Sequence, residues 1–401
     1  MLLRGNMKKI YLDHSATTPL DSDVFETMRP YFCEMFGNAN SVHAFGQEAG
    51  AAVDSARRTI AGLFNVKPTE IYFTSGGTEA DNWALKGIAN SYGNTKGKRI
   101  IVSAIEHAAI IATAKQLKRD GYDVVFLPVD NTGTVKPEYL KEVITDDTCL
   151  VSVMLANNEI GTIQPIKELA EIAHAHGALF HTDAVQAVGS IPVSIKEFGV
   201  DLMSFSAHKF YGPKGVGVLY IKSGIKPDKL LIGGHQERTM RGGTTNVPGV
   251  VGMAAALEKA IKDLDKNYAY VKGLRDRFVE SITNKIPYVI YNGHPTNRLP
   301  QNANFTFEYI EGESLLLSLD LNGIACSSGS ACSSGSLEPS HVLLATGLPI
   351  EKSHGSLRFS FGKGNTIEDV DYTVDKVKEA VDRLRMMSPL YSQIKGENKN
   401  V

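Results

Sequence analysis

Cysteine is scarce in this chain, which has only four among its 401 residues. So few cysteines do not make a disulfide framework, and a reducing cytosol is the expected compartment. No apolar run approaches the roughly 18 residues that a membrane-spanning helix needs. The first ten residues also lack the apolar segment of a secretory signal. We therefore predict a cytoplasmic protein without a membrane partner.

The chain also lacks an excess of either charge. Its 42 lysines and arginines nearly balance 44 aspartates and glutamates, which gives no reason to expect direct nucleic-acid binding. Internal repeats and low-complexity tracts are absent, and the hydrophobic and charged contents of 43% and 21% are those of an ordinary globular protein. A chain of this length can form one large and one small domain, each with its own core.

The order of apolar runs and helical patterns predicts an α/β fold. Short apolar runs alternate with helical patterns from about residue 50 to 225, which favours a mainly parallel sheet covered by helices on both faces. A glycine-rich connection at 232–244, a helical region at 250–285 and mixed elements beyond it predict a smaller α+β domain. We place an N-terminal segment that joins the small domain at 1–20, the large domain at 21–260 and the small domain at 261–401.

Lys209 is in a position that disfavours a charged side chain, because it follows the apolar run that ends at Phe205. Burial costs an ammonium group its hydration and so favours a usable neutral amine. Amines of this kind form Schiff bases with carbonyl substrates or with pyridoxal phosphate. The alternative is a lysine that extends from a strand end into solvent.

Two other strand ends carry candidate cofactor contacts. The stretch 73–79 has the pattern of a strand, a glycine turn and the start of a helix, where backbone N–H groups and the Thr78 hydroxyl suit a phosphate. It matches neither the dinucleotide fingerprint nor the P-loop. Asp183 ends another apolar strand, where an aspartate either keeps a pyridine nitrogen protonated or caps the next turn.

Three further side chains are candidates with simpler alternatives. Gln186 is placed to donate to a ring hydroxyl, and His107, after another strand end, either stacks on a flat ring, moves protons or is structural. Arg358 lies on a predicted small-domain strand and either binds a carboxylate in bidentate fashion or is a surface arginine.

Small residues surround two of the cysteines in the stretch 326–336. Such a loop suits a thiol that reaches into a site and then swings out to a partner. The alternatives are a flexible linker and a metal site, but Cys326 and Cys332 without a second pair fall short of a structural zinc pattern, so we predict no metal. Cys33 and Cys149 are interpreted as packed thiols.

Together these residues resemble the cysteine desulfurases of the NifS/IscS type, which are fold-type I, class V pyridoxal-phosphate enzymes. The resemblance covers nearly the whole chain, from the stretch 11–19 to 388–390. Its most specific parts are Ser206-Ala207-His208-Lys209 and Ser328-Gly329-Ser330-Ala331-Cys332. It implies a fold-type I transferase whose large domain binds the cofactor and whose small domain carries a mobile cysteine loop at 323–337.

The resemblance also implies a role for each site residue. Lys209 would bind pyridoxal 5'-phosphate covalently, Asp183 would pair with the ring nitrogen, Gln186 with the ring hydroxyl, and His107 would stack on the ring. Gly77, Thr78, Ser206 and His208 would hold the phosphate, and Thr244 would reach it across a homodimer interface. Asn158, which also borders the cofactor, and Arg358 would orient the substrate, and Cys332 would be the nucleophile.

The implied reaction removes sulfur from L-cysteine, giving L-alanine and a persulfide on Cys332. The persulfide would pass to a protein acceptor such as an iron–sulfur scaffold, although the sequence leaves the acceptor open. A second thiol, Cys326, departs from the simplest pattern and would either resolve the persulfide or have no role. The alternatives are a selenocysteine lyase or another fold-type I lyase, an iron–sulfur carrier using both loop cysteines, and a degenerate pyridoxal protein that acts as a scaffold.

Overall fold

A computed structural model describes residues 8–328 and 339–397 of the chain. In chain order the strands are β1 Ile10–Tyr11, β2 Ile71–Thr74, β3 Arg99–Ser103, β4 Asp123–Leu127, β5 Thr148–Ser152, β6 Leu179–Asp183, β7 Leu202–Ser206, β8 Gly217–Ile221, β9 Val289–Asn292, β10 Asn302–Phe307, β11 Ile324–Ala325, β12 Ser327–Ser328 and β13 Ser356–Ser360. The α-helices are α1 Ser22–Met28, α2 Pro30–Cys33, α3 Ala44–Leu63, α4 Gly77–Tyr92, α5 Ala108–Arg119, α6 Pro137–Val143, α7 Ile166–Ala175, α8 Ile195–Phe198, α9 Val247–Lys262, α10 Leu264–Lys285, α11 Gly312–Asp320, α12 His341–Ala345, α13 Ile350–Ser353, α14 Ile367–Met386 and α15 Pro389–Glu397. Short 3₁₀ turns occur at Pro68–Glu70, Ala207–Lys209 and Glu237–Thr239.

The large sheet has seven strands in the order β2-β8-β7-β6-β5-β3-β4. Its strands β7, β6, β5, β3 and β4 are parallel neighbours, whereas β8 runs antiparallel to both β7 and β2. The strands β5, β7 and β8 are buried along their whole length. Such continuous burial requires cover on both faces, as the sequence pattern predicted.

Helices cover the two faces of this sheet unequally. On one face α4 and α5 pack against apolar residues of β3, β5 and β7, and on the other α3, α7 and α9 enclose a larger core. Because five strands of this sheet are parallel, their carboxyl ends meet at one edge of the sheet, where ligands of α/β proteins bind.

A second, four-stranded sheet has the order β12-β13-β10-β9, and all of its pairs are antiparallel. Its apolar face packs with α10, α11 and α14 around Phe278, Phe305 and Phe359. The N-terminal Ile10 and Leu12 are buried in this same cluster, and β1 pairs in parallel with β11. The domain limits proposed from the sequence stay a prediction; the limit at residue 260 falls within α9.

Two local expectations need correction. The helical region expected at 250–285 is two helices, because Asp263 has the non-helical angles φ −97° and ψ 11° and ends α9 before α10 begins. Cys33, expected to be packed, is exposed at the end of α2, whereas Cys149 is buried in β5 as expected.

Among the residues that the structure describes, no helix combines the length and the apolar character that a bilayer crossing requires.

Candidate active site

The turn between β2 and α4 forms one end of the candidate site. A Cβ atom on Gly77 would lie 2.8 Å from Cγ2 of Val185, so this close approach requires glycine. The helix that begins here has 16 residues, and its first-turn N–H groups have no intrahelical acceptors. Its amino end therefore presents donors and a positive dipole end to an anion.

Glu79 holds this turn in place. Its Oε2 accepts from the Ser75 N–H at 2.7 Å, and its two oxygens accept from Nε and Nη2 of Arg241 at 2.8 and 3.0 Å. The bidentate contact lowers the pKa of Glu79 against the opposing effect of burial. The positive charge of Arg241 compensates the negative charge of Glu79, so this carboxylate does not repel a phosphate bound at the turn.

Lys209 lies at the end of β7, in the 3₁₀ turn that follows it. Its Nζ donates to the main-chain oxygens of Ser15 at 2.5 Å and Ala16 at 2.8 Å. Nε2 of Gln186 donates to the same Ser15 oxygen at 2.8 Å. The N-terminal segment thus positions both the lysine and the glutamine.

Asp183 and His107 are the titratable groups in the middle of the site. Asp183 ends β6 with 5% of its surface exposed, and its Oδ1 accepts from the Val185 N–H at 2.8 Å. Burial raises the pKa of Asp183, and the nearby His107 and Lys209 oppose that rise. Burial lowers the pKa of His107, whose Nδ1 accepts from the Ala109 N–H at 3.2 Å. That contact places the proton of the neutral imidazole on Nε2.

Arg358 lies in the middle of β13 and is 2% exposed. Its Nη1 donates to the main-chain oxygen of Asn158 at 2.9 Å, and its Nη2 to Oδ1 of Asp13 at 2.8 Å. The Nε atom is buried and has no hydrogen-bond partner among the described residues. This guanidinium is therefore held from two sides while it lines the cavity described next.

These side chains surround one cavity of about 340 Å³. Ten of the residues predicted from the sequence line it: Gly77, Thr78, His107, Asn158, Asp183, Gln186, Ser206, His208, Lys209 and Arg358. The volume lies in the usual range of small-molecule sites. An amine, a buried carboxyl group and a helix amino end in one cavity match the aldehyde, the ring nitrogen and the phosphate of pyridoxal phosphate. The residues present therefore fit this cofactor.

Thr244, also predicted as a site residue, does not line this cavity. Thr244 is exposed in the glycine-rich connection and borders a separate cavity of about 130 Å³ that also includes Ser75 and Arg241. Cys332 lies outside the described residues. Cys326 is described and is half-buried against the core of the small sheet.

Sequence reasoning missed five residues that also line the cavity, namely Ser15, Ala16, Asp81, Met154 and Val185. Asp81 lies one helical turn after Gly77, so the two residues share a face of α4. This spacing could have indicated Asp81 from the sequence. Ser15 and Ala16 come from a distant part of the chain and contact Lys209 through their main-chain oxygens, which no side-chain pattern reveals.

A family model described as aminotransferase class-V matches residues 10–373. The chain belongs to the class V aminotransferase family. It is 54% identical to a protein named cysteine desulfurase IscS from Methanosarcina thermophila, over 96% of this chain and 94% of that protein. A protein of the same name from Dictyoglomus turgidum is 51% identical, over 98% of this chain and all of the relative.

Solved structures agree with these relatives. A structure described as a NifS-like protein superposes with a TM-score of 0.88 at 40% identity, covering 94% of this chain and all of that one. Another, described as SspA in complex with cysteine, gives 0.79 at 32% identity, covering 90% of this chain and all of that one. The chain is thus a fold-type I, pyridoxal-phosphate-dependent enzyme of the cysteine desulfurase type. The predicted family, fold class, cofactor and enzyme class are confirmed.

Proposed function

We propose that this protein takes L-cysteine as substrate, releases L-alanine and leaves the sulfur as a persulfide on Cys332 for a protein acceptor. One observation carries the assignment of the residues. Lys209, Asp183, the amino end of α4 and Arg358 surround a single cavity, although 281 positions separate Gly77 from Arg358 in sequence. Each has the chemistry that this reaction requires at one end of its cofactor or substrate.

Cofactor retention is assigned to one face of the cavity. The first-turn N–H groups of α4, the Thr78 hydroxyl and the neighbouring Ser206 and His208 would hold the phosphate. Lys209 would hold the aldehyde carbon, and Asp183 the ring nitrogen. When bound, pyridoxal phosphate withdraws electrons from Cα of the substrate amino acid.

Substrate orientation is assigned to Arg358 and Asn158. Arg358 would donate to the substrate carboxylate, while its contacts with Asp13 and the Asn158 oxygen keep the guanidinium from turning. This fixes the carboxylate end, so that the amino and thiol groups of cysteine face Lys209 and the approaching Cys332. His107, neutral and protonated on Nε2, would pack against the cofactor ring and donate into the cavity.

Sulfur transfer is assigned to Cys332. Its thiolate would attack the substrate sulfur, forming the S–S bond while the substrate's C–S bond breaks. The electron pair of that C–S bond stays with the substrate carbon, which takes up a proton and leaves as alanine. The persulfide would then be passed to an acceptor such as an iron–sulfur scaffold, in the cytoplasm.

A homodimer is part of the proposal. Several large apolar side chains near the N-terminus and at the start of the glycine-rich connection or next to it are exposed: Phe32, Phe36, Val42, Phe45, Leu231 and Ile232. Exposed apolar groups of this size favour burial in an interface. Thr244 belongs to the same connection, which supports its role at the partner's phosphate site.

The test is to incubate the purified, cofactor-loaded protein with L-cysteine and a thiol reductant and to measure alanine and sulfide. Equal amounts of both products are expected. Lys209→Ala should lose the cofactor's absorption in the near ultraviolet and both products, whereas Lys214→Ala, a nearby change of the same kind outside the cavity lining, should keep them. Alanine formation by a Lys209→Ala protein without added amines would refute the role of Lys209.

A further inference from the structure

Asp81 is a buried carboxyl group of the site that the proposed reaction does not use. It lies on α4, is 1% exposed and lines the cavity together with Asp183. Its Oδ1 has no hydrogen-bond partner among the described residues. An ionised oxygen without a donor is costly to bury, whereas an unpaired oxygen of a neutral carboxyl group costs far less.

The side chains next to Asp81 form a chain of hydrogen bonds on one face of the large sheet. Ser152 contacts Nδ1 of His181 at 2.9 Å, and Nε2 of His181 contacts the Ser204 hydroxyl at 2.9 Å. His181 is fully buried, and burial lowers its pKa to about 3. Its Nε2 lies 3.8 Å from Oδ1 of Asp81. Because the ring is neutral and both of its nitrogens contact serines, it offers no positive charge to that carboxyl group.

The carboxyl groups around Asp81 act against its ionisation. Burial raises the pKa of Asp81, and the charge of Asp183 raises it further, against a hydrogen bond with Ser204 that lowers it. Burial raises the pKa of Asp183 as well, but the hydrogen bond from the Val185 N–H and the charge of Lys209 oppose that rise and favour the ionised form. Two carboxyl groups in one low-dielectric site seldom ionise together, and here the stabilising contacts belong to Asp183.

We propose that Asp81 is a positioning residue that stays a neutral carboxylic acid in the folded enzyme and so leaves the single negative charge of the pair on Asp183. A neutral carboxyl group can turn its O–H towards a nearby anion, which steadies that anion without competing for its role. This inference rests on the proposed function only in giving Asp183 the cofactor's ring nitrogen as partner.

The protonation state is measured directly by infrared difference spectroscopy of the holoenzyme at neutral pH. A protonated carboxyl group has a C=O stretch above the amide band, and Asp81→Asn should remove one such signal. The matched control is Asp201→Asn, because Asp201 is 3% exposed but accepts from His174, Lys222 and the Phe180 N–H, contacts that lower its pKa. That variant should remove a carboxylate signal instead. An unchanged C=O region in Asp81→Asn would overturn the proposal.

The positioning role is measured by the dissociation constant of pyridoxal phosphate. Asp81→Asn keeps a donor of the same size and should change the constant less than about twofold. Asp81→Leu has a similar size but no donor, and should weaken binding about tenfold, the effect of one hydrogen bond to a charged group. Equal constants for the two variants would contradict the role. Failure of the proposed function would instead appear as a wild-type protein without pyridoxal absorption.

Discussion

Nη2 of Arg358 donates to Oδ1 of Asp13 at 2.8 Å, and Asp13 is only two residues before the main-chain oxygen that accepts from Lys209. One short N-terminal segment therefore contacts both the proposed carboxylate-binding arginine and the proposed cofactor-binding lysine. The two contacts fix the distance between the groups that would hold opposite ends of the substrate.

Arg358→Lys should raise the KM for cysteine by about tenfold or more, with a smaller change in kcat. A lysine cannot contact Asp13, the Asn158 oxygen and a substrate carboxylate together, because it lacks the planar fork of the guanidinium group. Steady-state kinetics of alanine formation measure this. Arg277→Lys is the control, since Arg277 forms an exposed pair with Asp371, and its KM should not change. An unaltered KM in Arg358→Lys would rule out the assigned role.

Cys332→Ala should keep the cofactor's absorption and lose sulfide release, because the acceptor thiol is gone while the cavity is intact. Cys326→Ala is the matched control and should keep sulfide release. Burial raises the pKa of Cys326, with a further rise from Asp13, so its thiol, which is half-buried against the core of the small sheet, is a poor nucleophile. Its substitution should cost stability by about 1 kcal/mol. Persulfide trapping with an alkylating reagent, followed by mass spectrometry, locates the sulfur; normal turnover by Cys332→Ala would be inconsistent with the mechanism.

Glu106→Gln should make the stability of the cofactor-free protein less sensitive to pH between about 4.5 and 8. Burial raises the pKa of Glu106 to about 8, so the folded state keeps a proton that the unfolded state loses above the ordinary value of 4.5. The contribution of this group is complete below about 4.5 and is lost as the pH rises to about 8, with a slope of at most about 1.4 kcal/mol per unit. Gln keeps an acceptor for Ser103 and the Met154 N–H but does not titrate.

Urea unfolding across this pH window measures the difference between the two proteins. The stability of Glu106→Gln relative to the natural sequence should increase steadily with pH. Glu168→Gln, an exposed position on α7, makes the same change in charge and should show no such trend. Parallel stability curves for Glu106→Gln and the natural sequence would mean that Glu106 is ionised when buried.

Introducing charges at two of the exposed apolar side chains should prevent dimer formation. Val42 and Ile232 are each 89% exposed, and the double substitution Val42→Glu, Ile232→Glu would place two charges in the proposed interface. Analytical ultracentrifugation should then find monomers with weakened cofactor binding, because Thr244 of each subunit no longer reaches its partner. The control is Ile367→Glu, at a half-exposed position at the start of α14, and this variant should remain dimeric. If the double variant remains dimeric, the interface does not include these two side chains.

The strand ends account for most of what could be predicted from the sequence. Asp183 ends a strand, and Lys209 and Gly77 each come three residues after the end of one, so the alternation of apolar runs predicted them at one edge of a sheet. The contacts of Ser15 and Ala16 could not be predicted in the same way, since their main-chain oxygens meet Lys209 across more than 190 positions. The break at Asp263 also has no glycine or proline to mark it.

The acceptors of the Lys209 amine have a consequence for how this site tolerates mutation. Carbonyl oxygens belong to the main chain, so a side-chain replacement at position 15 or 16 leaves both acceptors in place. Only a change that displaces the backbone, such as an insertion between Asp13 and Thr18, would remove them. Point substitutions at positions 15 and 16 should therefore leave the hydrogen bonds of Lys209 intact, whereas a change in the length of this segment should break them.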